Sequence, residues 1–140
     1  MKTWFESIVK CEKMQENGMQ KKVSEHYMVE ALSFTEAEAK TIEQVTPFIS
    51  GDLQIKDISK SNISEIVYDE SGDKWYRCKV NFITLDEKSG AEKRTASYFL
   101  VQADSTDKAN ENVHTFMKDT LSDYEIEIIK ETKIIDVYEN

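Results

Sequence analysis

Sliding the chain along itself by about seventy residues brings like onto like, in order, from one end to the other. Trp4-Phe5 falls on Trp75-Tyr76, and Val9 on Val80. Glu16-Asn17-Gly18 falls on Glu87-Lys88-Ser89-Gly90, with one residue inserted, after which Lys21-Lys22 meets Lys93-Arg94. Further on, Val29-Glu30-Ala31 meets Val101-Gln102-Ala103, Ala37 meets Ala109, and Ile63-Ser64-Glu65-Ile66 meets Ile134-Ile135-Asp136-Val137. A duplicated chain has to build one small unit twice, which removes most architectures at once. The expectation is a single domain over residues 1–140, made of two pseudo-repeats of about 1–70 and 71–140.

Each copy opens as a hairpin. Phe5, Ser7, Val9 and Cys11 share one face at period two, and Trp4, Glu6, Ile8 and Lys10 share the other. Tyr76, Cys78, Val80 and Phe82 repeat the first set, with Trp75, Arg77, Lys79 and Asn81 opposite. Asn17-Gly18 and Ser89-Gly90 supply the turns, because glycine accepts positive φ without steric cost. Return strands follow at Val23 to Leu32 and Thr95 to Ala103.

A helix comes next in each copy. Ser33-Phe34-Thr35-Glu36 reads as a capping box and Ser105-Thr106-Asp107 as a weaker one. Apolar residues recur at helical spacing through Phe34, Ala37, Thr41/Ile42, Val45 and Phe48/Ile49, and through Ala109, Val113, Phe116/Met117 and Leu121. Gly51-Asp52 and Ser122-Asp123 mark the expected helix ends. The β pattern then returns over Leu53 to Tyr68 and Tyr124 to Tyr138, each too long for one straight strand. A bulge or break is expected near Ser59–Asn62 and near Glu131–Lys133. The fold class is therefore α+β: a duplicated β-hairpin–helix–strand unit forming one antiparallel sheet of six to eight strands, with two helices on one face.

Composition excludes several functions. Apolar runs are only a few residues long, so no membrane-spanning segment is expected, and a charge at Glu6 argues against a secretory leader. Cys11 and Cys78 lie in strand patterns without C-x-x-C spacing, which reads as buried thiols in a reducing, cytoplasmic setting. The net charge of −9 weighs against non-specific nucleic-acid binding. That charge is uneven: residues 31–70 carry three bases and eight acids, and 101–140 carry four and ten. Residues 1–30 balance at five each, and 71–100 carry six bases and four acids.

All the excess acid thus lies in the second half of each copy, which leaves room for a local positive surface on the hairpins. Both tips read G-x-x-K-[K/R], placing Lys21, Lys22, Lys93 and Arg94, with Lys88, where they could hold phosphate or an acidic partner. The competing reading is that they keep the hairpins soluble and blunt edge pairing. Trp4 and Trp75 stand at equivalent positions on the second face, beside Met28 and Leu100. Such a face is either covered by the chain itself or offered to a ligand or to a second copy in a homodimer. His26 and His114 sit in no metal-binding spacing, and no nucleophile, phosphate-loop or dinucleotide motif occurs. No catalytic residue, metal or cofactor is expected.

At Met1-Lys2-Thr3-Trp4-Phe5-Glu6, Glu16-Asn17-Gly18-Met19-Gln20-Lys21-Lys22-Val23, Ala31-Leu32-Ser33-Phe34-Thr35-Glu36-Ala37-Glu38-Ala39 and Phe82-Ile83-Thr84-Leu85-Asp86-Glu87-Lys88-Ser89-Gly90-Ala91-Glu92-Lys93 the chain resembles a domain-of-unknown-function family. Its members are small proteins of Bacteroidales and of associated phages and mobile elements. The resemblance implies a cytoplasmic accessory protein of phage or mobile-element type and transfers no catalytic residue. The functional expectation is a non-enzymatic binding module engaging a protein or a small anionic, nucleotide-like partner. A nucleic-acid-binding accessory protein is the alternative.

Overall fold

In the computed structural model, which describes residues 2–140, the hairpin patterns become β1 (Trp4–Met14) with β2 (Gln20–Glu30), and β5 (Lys74–Leu85) with β6 (Glu92–Ala103). Met1, the first residue of the family-like opening string, lies outside the described residues. Gly18 and Gly90 take φ of +83° and +70°, the left-handed turn position that disfavours any residue with a Cβ. The Asn17 side chain accepts from Met19 N–H at 3.0 Å, and Asp86 accepts from Lys88 N–H at 2.9 Å. Side-chain and glycine chemistry thus close both turns, the second one residue longer.

Both caps form. Ser33 Oγ accepts from Glu36 N–H at 3.1 Å at the start of α1 (Phe34–Val45), while the Glu36 carboxylate reaches back to Leu32 N–H at 3.3 Å. Ser105 Oγ accepts from Lys108 N–H at 3.1 Å and opens α2 (Thr106–Phe116). Both helices stop earlier than the Gly51 and Ser122 signals suggest. After Val45 the chain tightens into a 3₁₀ turn, Thr46–Phe48, because Pro47 brings no N–H to continue the ladder.

The breaks fall within the expected windows. β3 (Leu53–Ser61) gives way to β4 (Ile63–Val67), and β7 (Asp123–Glu131) to β8 (Ile134–Tyr138). The sheet itself differs from expectation. Instead of one antiparallel sheet there are two four-stranded mixed sheets, ordered β3-β1-β2-β8 and β4-β6-β5-β7. β8 runs parallel to β2 and β4 parallel to β6, while all other pairings are antiparallel. The last strand of each copy therefore completes the sheet begun by the other copy. Two compact units result: one reaching Asn62 and including Lys133–Asn140, the other Ile63–Thr132.

Equivalent irregularities confirm the duplication. The β1–β3 register shifts between Ile8 and Val9, and the β5–β7 register between Lys79 and Val80. The parallel pairings shift as β2 passes from His26 to Tyr27, and as β6 passes from Tyr98 to Phe99.

In unit 1, Val9, Cys11, Tyr27 and Val29 pack with Val45 of α1, and Phe5 and Ala31 pack with Ala37. In unit 2, Cys78, Val80, Phe99 and Val101 pack with Ala109, Val113 and Met117. Fully burying one such valine or phenylalanine stabilises by about 1.5–3 kcal/mol, so these stripes hold each helix on its sheet.

Candidate functional site

Period-two geometry decides what each hairpin tip can present. Lys21 lies opposite Lys13 across the first hairpin and Lys22 opposite Glu12. Lys93 lies opposite Thr84 across the second, and Arg94 opposite Ile83. Successive strand residues face opposite sides. The two neighbouring bases of each tip consequently belong to opposite faces of their hairpin and do not form one patch. The signal for this was present in their adjacency.

The bases also differ in how they are satisfied. Arg94 is ion-paired with Glu125, which holds the guanidinium pKa above its usual value, and it lies 3.7 Å from Glu92. Lys79 meets Glu127 at 2.7 Å, a bond that raises the lysine and lowers the carboxyl. Lys13 meets Glu25 at 2.7 Å. Lys21, Lys22, Lys88 and Lys93 are exposed, and among the described residues none of them has a carboxylate within ion-pair distance. Exposed Met14 and Met19 flank the first tip, and exposed Leu85 the second.

Trp4 and Trp75 are 1 % and 3 % exposed, and Met28 and Leu100 beside them are closed to solvent. The Tyr68 ring meets the Trp75 ring edge-on at 5.8 Å between centroids. Of the two surfaces expected to face a partner, only the tips are open to solvent. Sequence alternation placed the indoles on the second face of each hairpin but could not tell that this face is covered.

The sequence reading missed a polar cluster inside unit 1. Glu25 is 6 % exposed, and its carboxylate takes Lys13 Nζ and, at 3.3 Å, the Cys11 thiol. Tyr27 stacks on Tyr138 at 5.6 Å beside it. Burial, then the bond to Glu25, pushes the Cys11 thiol up to about 11. Burial and the Glu25 charge push the Tyr27 hydroxyl up as well. In unit 2 the matching positions are Phe82, Thr84, Ser97, Phe99 and Val67, a set without a charge or a thiol. Glu25 in the midst of a strand was the available signal, since a lone carboxylate on a core-facing position needs a partner.

The remaining chemistry is spread out. Cys11 and Cys78 are free and buried, and burial alone takes Cys78 to about 11, so neither is a thiolate near neutral pH. His26 Nδ1 lies 2.9 Å from Glu6, and His114 Nδ1 lies 2.7 Å from the Tyr124 hydroxyl. Among the described residues no three His, Cys, Asp or Glu side chains are grouped to hold a metal ion. No helix among them is long and apolar enough to cross a membrane.

An α+β chain of two duplicated units, each a four-stranded mixed sheet with one helix, is the class that fold and site define. The family described as Domain of unknown function (DUF4494) matches residues 3–140, and the chain belongs to it. No curated protein and no solved structure matches the chain.

Proposed function

We propose that this chain is a non-enzymatic binding module that engages a protein or a small anionic, nucleotide-like partner through the basic tips of its hairpins. One observation carries the reading. Lys21, Lys22, Lys88 and Lys93 stand exposed with no carboxylate in ion-pair range among the described residues, on a chain of net charge −9. Acids are plentiful, and on the same hairpins Lys13 is ion-paired with Glu25, Lys79 with Glu127 and Arg94 with Glu125. Exposed ammonium groups without an ion-pair partner, in or beside a hairpin turn, are free to meet an anionic group at no cost in broken ion pairs. The burial of Trp4 and Trp75 removes the basis for a homodimer built on those indoles.

A cytoplasmic accessory protein of phage or mobile-element type fits this behaviour. The two free, buried thiols support a reducing compartment, and the resemblance supports the origin.

The test is a charge-reversed variant, Lys21→Glu, Lys22→Glu, Lys88→Glu and Lys93→Glu, compared with the natural chain for binding of AMP and of single-stranded DNA. The natural chain binds AMP, and the variant loses that binding while keeping its circular dichroism. Equal affinity in the two proteins refutes the tip reading. Strong, salt-dependent retention of the DNA would instead favour a nucleic-acid accessory role.

A further inference from the structure

We infer that the face of unit 1 turned away from α1 holds a binding site for a phosphorylated small molecule that also carries hydrogen-bond donors, a mononucleotide being the simplest of that class. The inference deepens the proposed function, since Lys22 belongs to both the first tip and this site.

A hollow of about 720 Å³ opens here, within the size range of small-molecule sites. Register places its polar lining in two rows, separated by Leu53, Cys11 and Val23, whose side chains turn toward the α1 side of the sheet. Gln54, Lys10 and Ser24 lie side by side across β3, β1 and β2. In the next row Glu12 lies opposite Lys22, with Asp52 just before β3 begins. None of the four charged groups has an opposite charge within ion-pair range among the described residues.

Unit 2 shows that the scaffold does not require such a hollow. The positions matching Lys22 and Gln54 are Arg94 and Glu125. Their ion pair spans the intervening strand β5, from β6 to β7, and lies across the equivalent face. Asn81, Ile83 and Ala96 replace Lys10, Glu12 and Ser24 there. Gln54 in place of a carboxylate leaves Lys22 unneutralised, and the face stays open.

The donors and acceptors select the ligand. Lys10 and Lys22 are diagonal neighbours on one face, close enough for both ammonium groups to serve one phosphate. Glu12 and Asp52 accept from amino or hydroxyl groups and repel further anionic charge, so a monophosphate is preferred to a triphosphate. Ser24 and Gln54 serve either kind of group.

The experiment is an amide-resolved NMR titration of the full chain with AMP, with inorganic phosphate and with ATP. AMP should shift residues 10–12, 22–24 and 52–54 and leave 81–83, 94–96 and 123–125 unmoved, with AMP bound more tightly than phosphate or ATP. The variant Lys22→Arg with Gln54→Glu rebuilds the unit 2 ion pair and should weaken AMP about tenfold or more. Lys10→Gln, which alters no ion pair, should weaken it in the same direction. Unchanged affinity in both variants overturns the site, as does a preference for ATP. Shifts at Lys21, Lys88 and Lys93 without the hollow refute the site but keep the tip reading. Shifts at the hollow alone keep the site and refute the tips, and no shift with millimolar AMP ends both.

Discussion

Unit 1 and unit 2 share strand order, register shifts, turn glycines and serine caps, yet they spend their interiors differently. Unit 2 buries a nearly continuous apolar cluster from Val67 to Met117. In unit 1, among the described residues, one apolar group packs around Val45 and another around Ala37, and the Glu25 carboxylate sits inside with Lys13 and Cys11. On the opposite face the roles are reversed: unit 2 closes with Arg94–Glu125, and unit 1 leaves Lys22 and Lys10 open. Backbone architecture in this duplication tolerated two distinct side-chain solutions, because strand pairing depends on period and turn rather than on any one side chain. Unit 2 is the more apolar copy, and unit 1 the copy that carries a buried carboxylate and unpaired lysines.

The comparison breaks most dramatically if the strand exchange is cut. Fragment 63–132 contains all of β4-β6-β5-β7 and should give dispersed NMR spectra, whereas 71–140 lacks β4 and should be largely unfolded. Equal spectra for the two fragments would show that the exchanged strand is dispensable. Next in size is Gly72→Ala in unit 2. A Cβ there would lie 2.5 Å from the Ala103 backbone, so a loss of about 3 kcal/mol in urea unfolding is expected.

Lys13→Met should cost roughly 2 kcal/mol by stranding the Glu25 carboxylate, a loss restored when Glu25 is also changed to Ser, the residue unit 2 carries. No recovery in that double variant would mean the cluster is not an electrostatic unit. Ser33→Ala and Ser105→Ala should each cost about 1 kcal/mol, and a large inequality would show that the two caps are not equivalent. The smallest change is a gain. Ser7 is fully buried, its hydroxyl has no partner among the described residues, and Cys78 stands at the same place in unit 2. Ser7→Cys should raise the midpoint of thermal unfolding slightly, by about 1 kcal/mol or less in stability.

Local order was legible in the sequence because its causes are local. Gly18 and Gly90 declare their turns, Ser33 and Ser105 their caps, and the alternation at Phe5, Ser7 and Val9 the core face. The tip lysines were legible as candidates, but their assignment to opposite faces required applying to Lys21-Lys22 the same alternation used for the core. The Glu25 cluster needed contacts between residues 12 and 14 positions apart, which no local pattern reports.

By itself, the amino-acid sequence determined the duplication, the α+β class, the hairpins, the two helices and the places where the final strands break. Only the tertiary structure decided that there are two sheets, that β4 and β8 change units, and that Trp4 and Trp75 are covered. Duplication itself is the physical reason. Ile63 to Val67 and Ile134 to Tyr138 carry nearly the same pattern, so either strand suits either sheet edge, and only the energy of the whole assembled chain chooses between them.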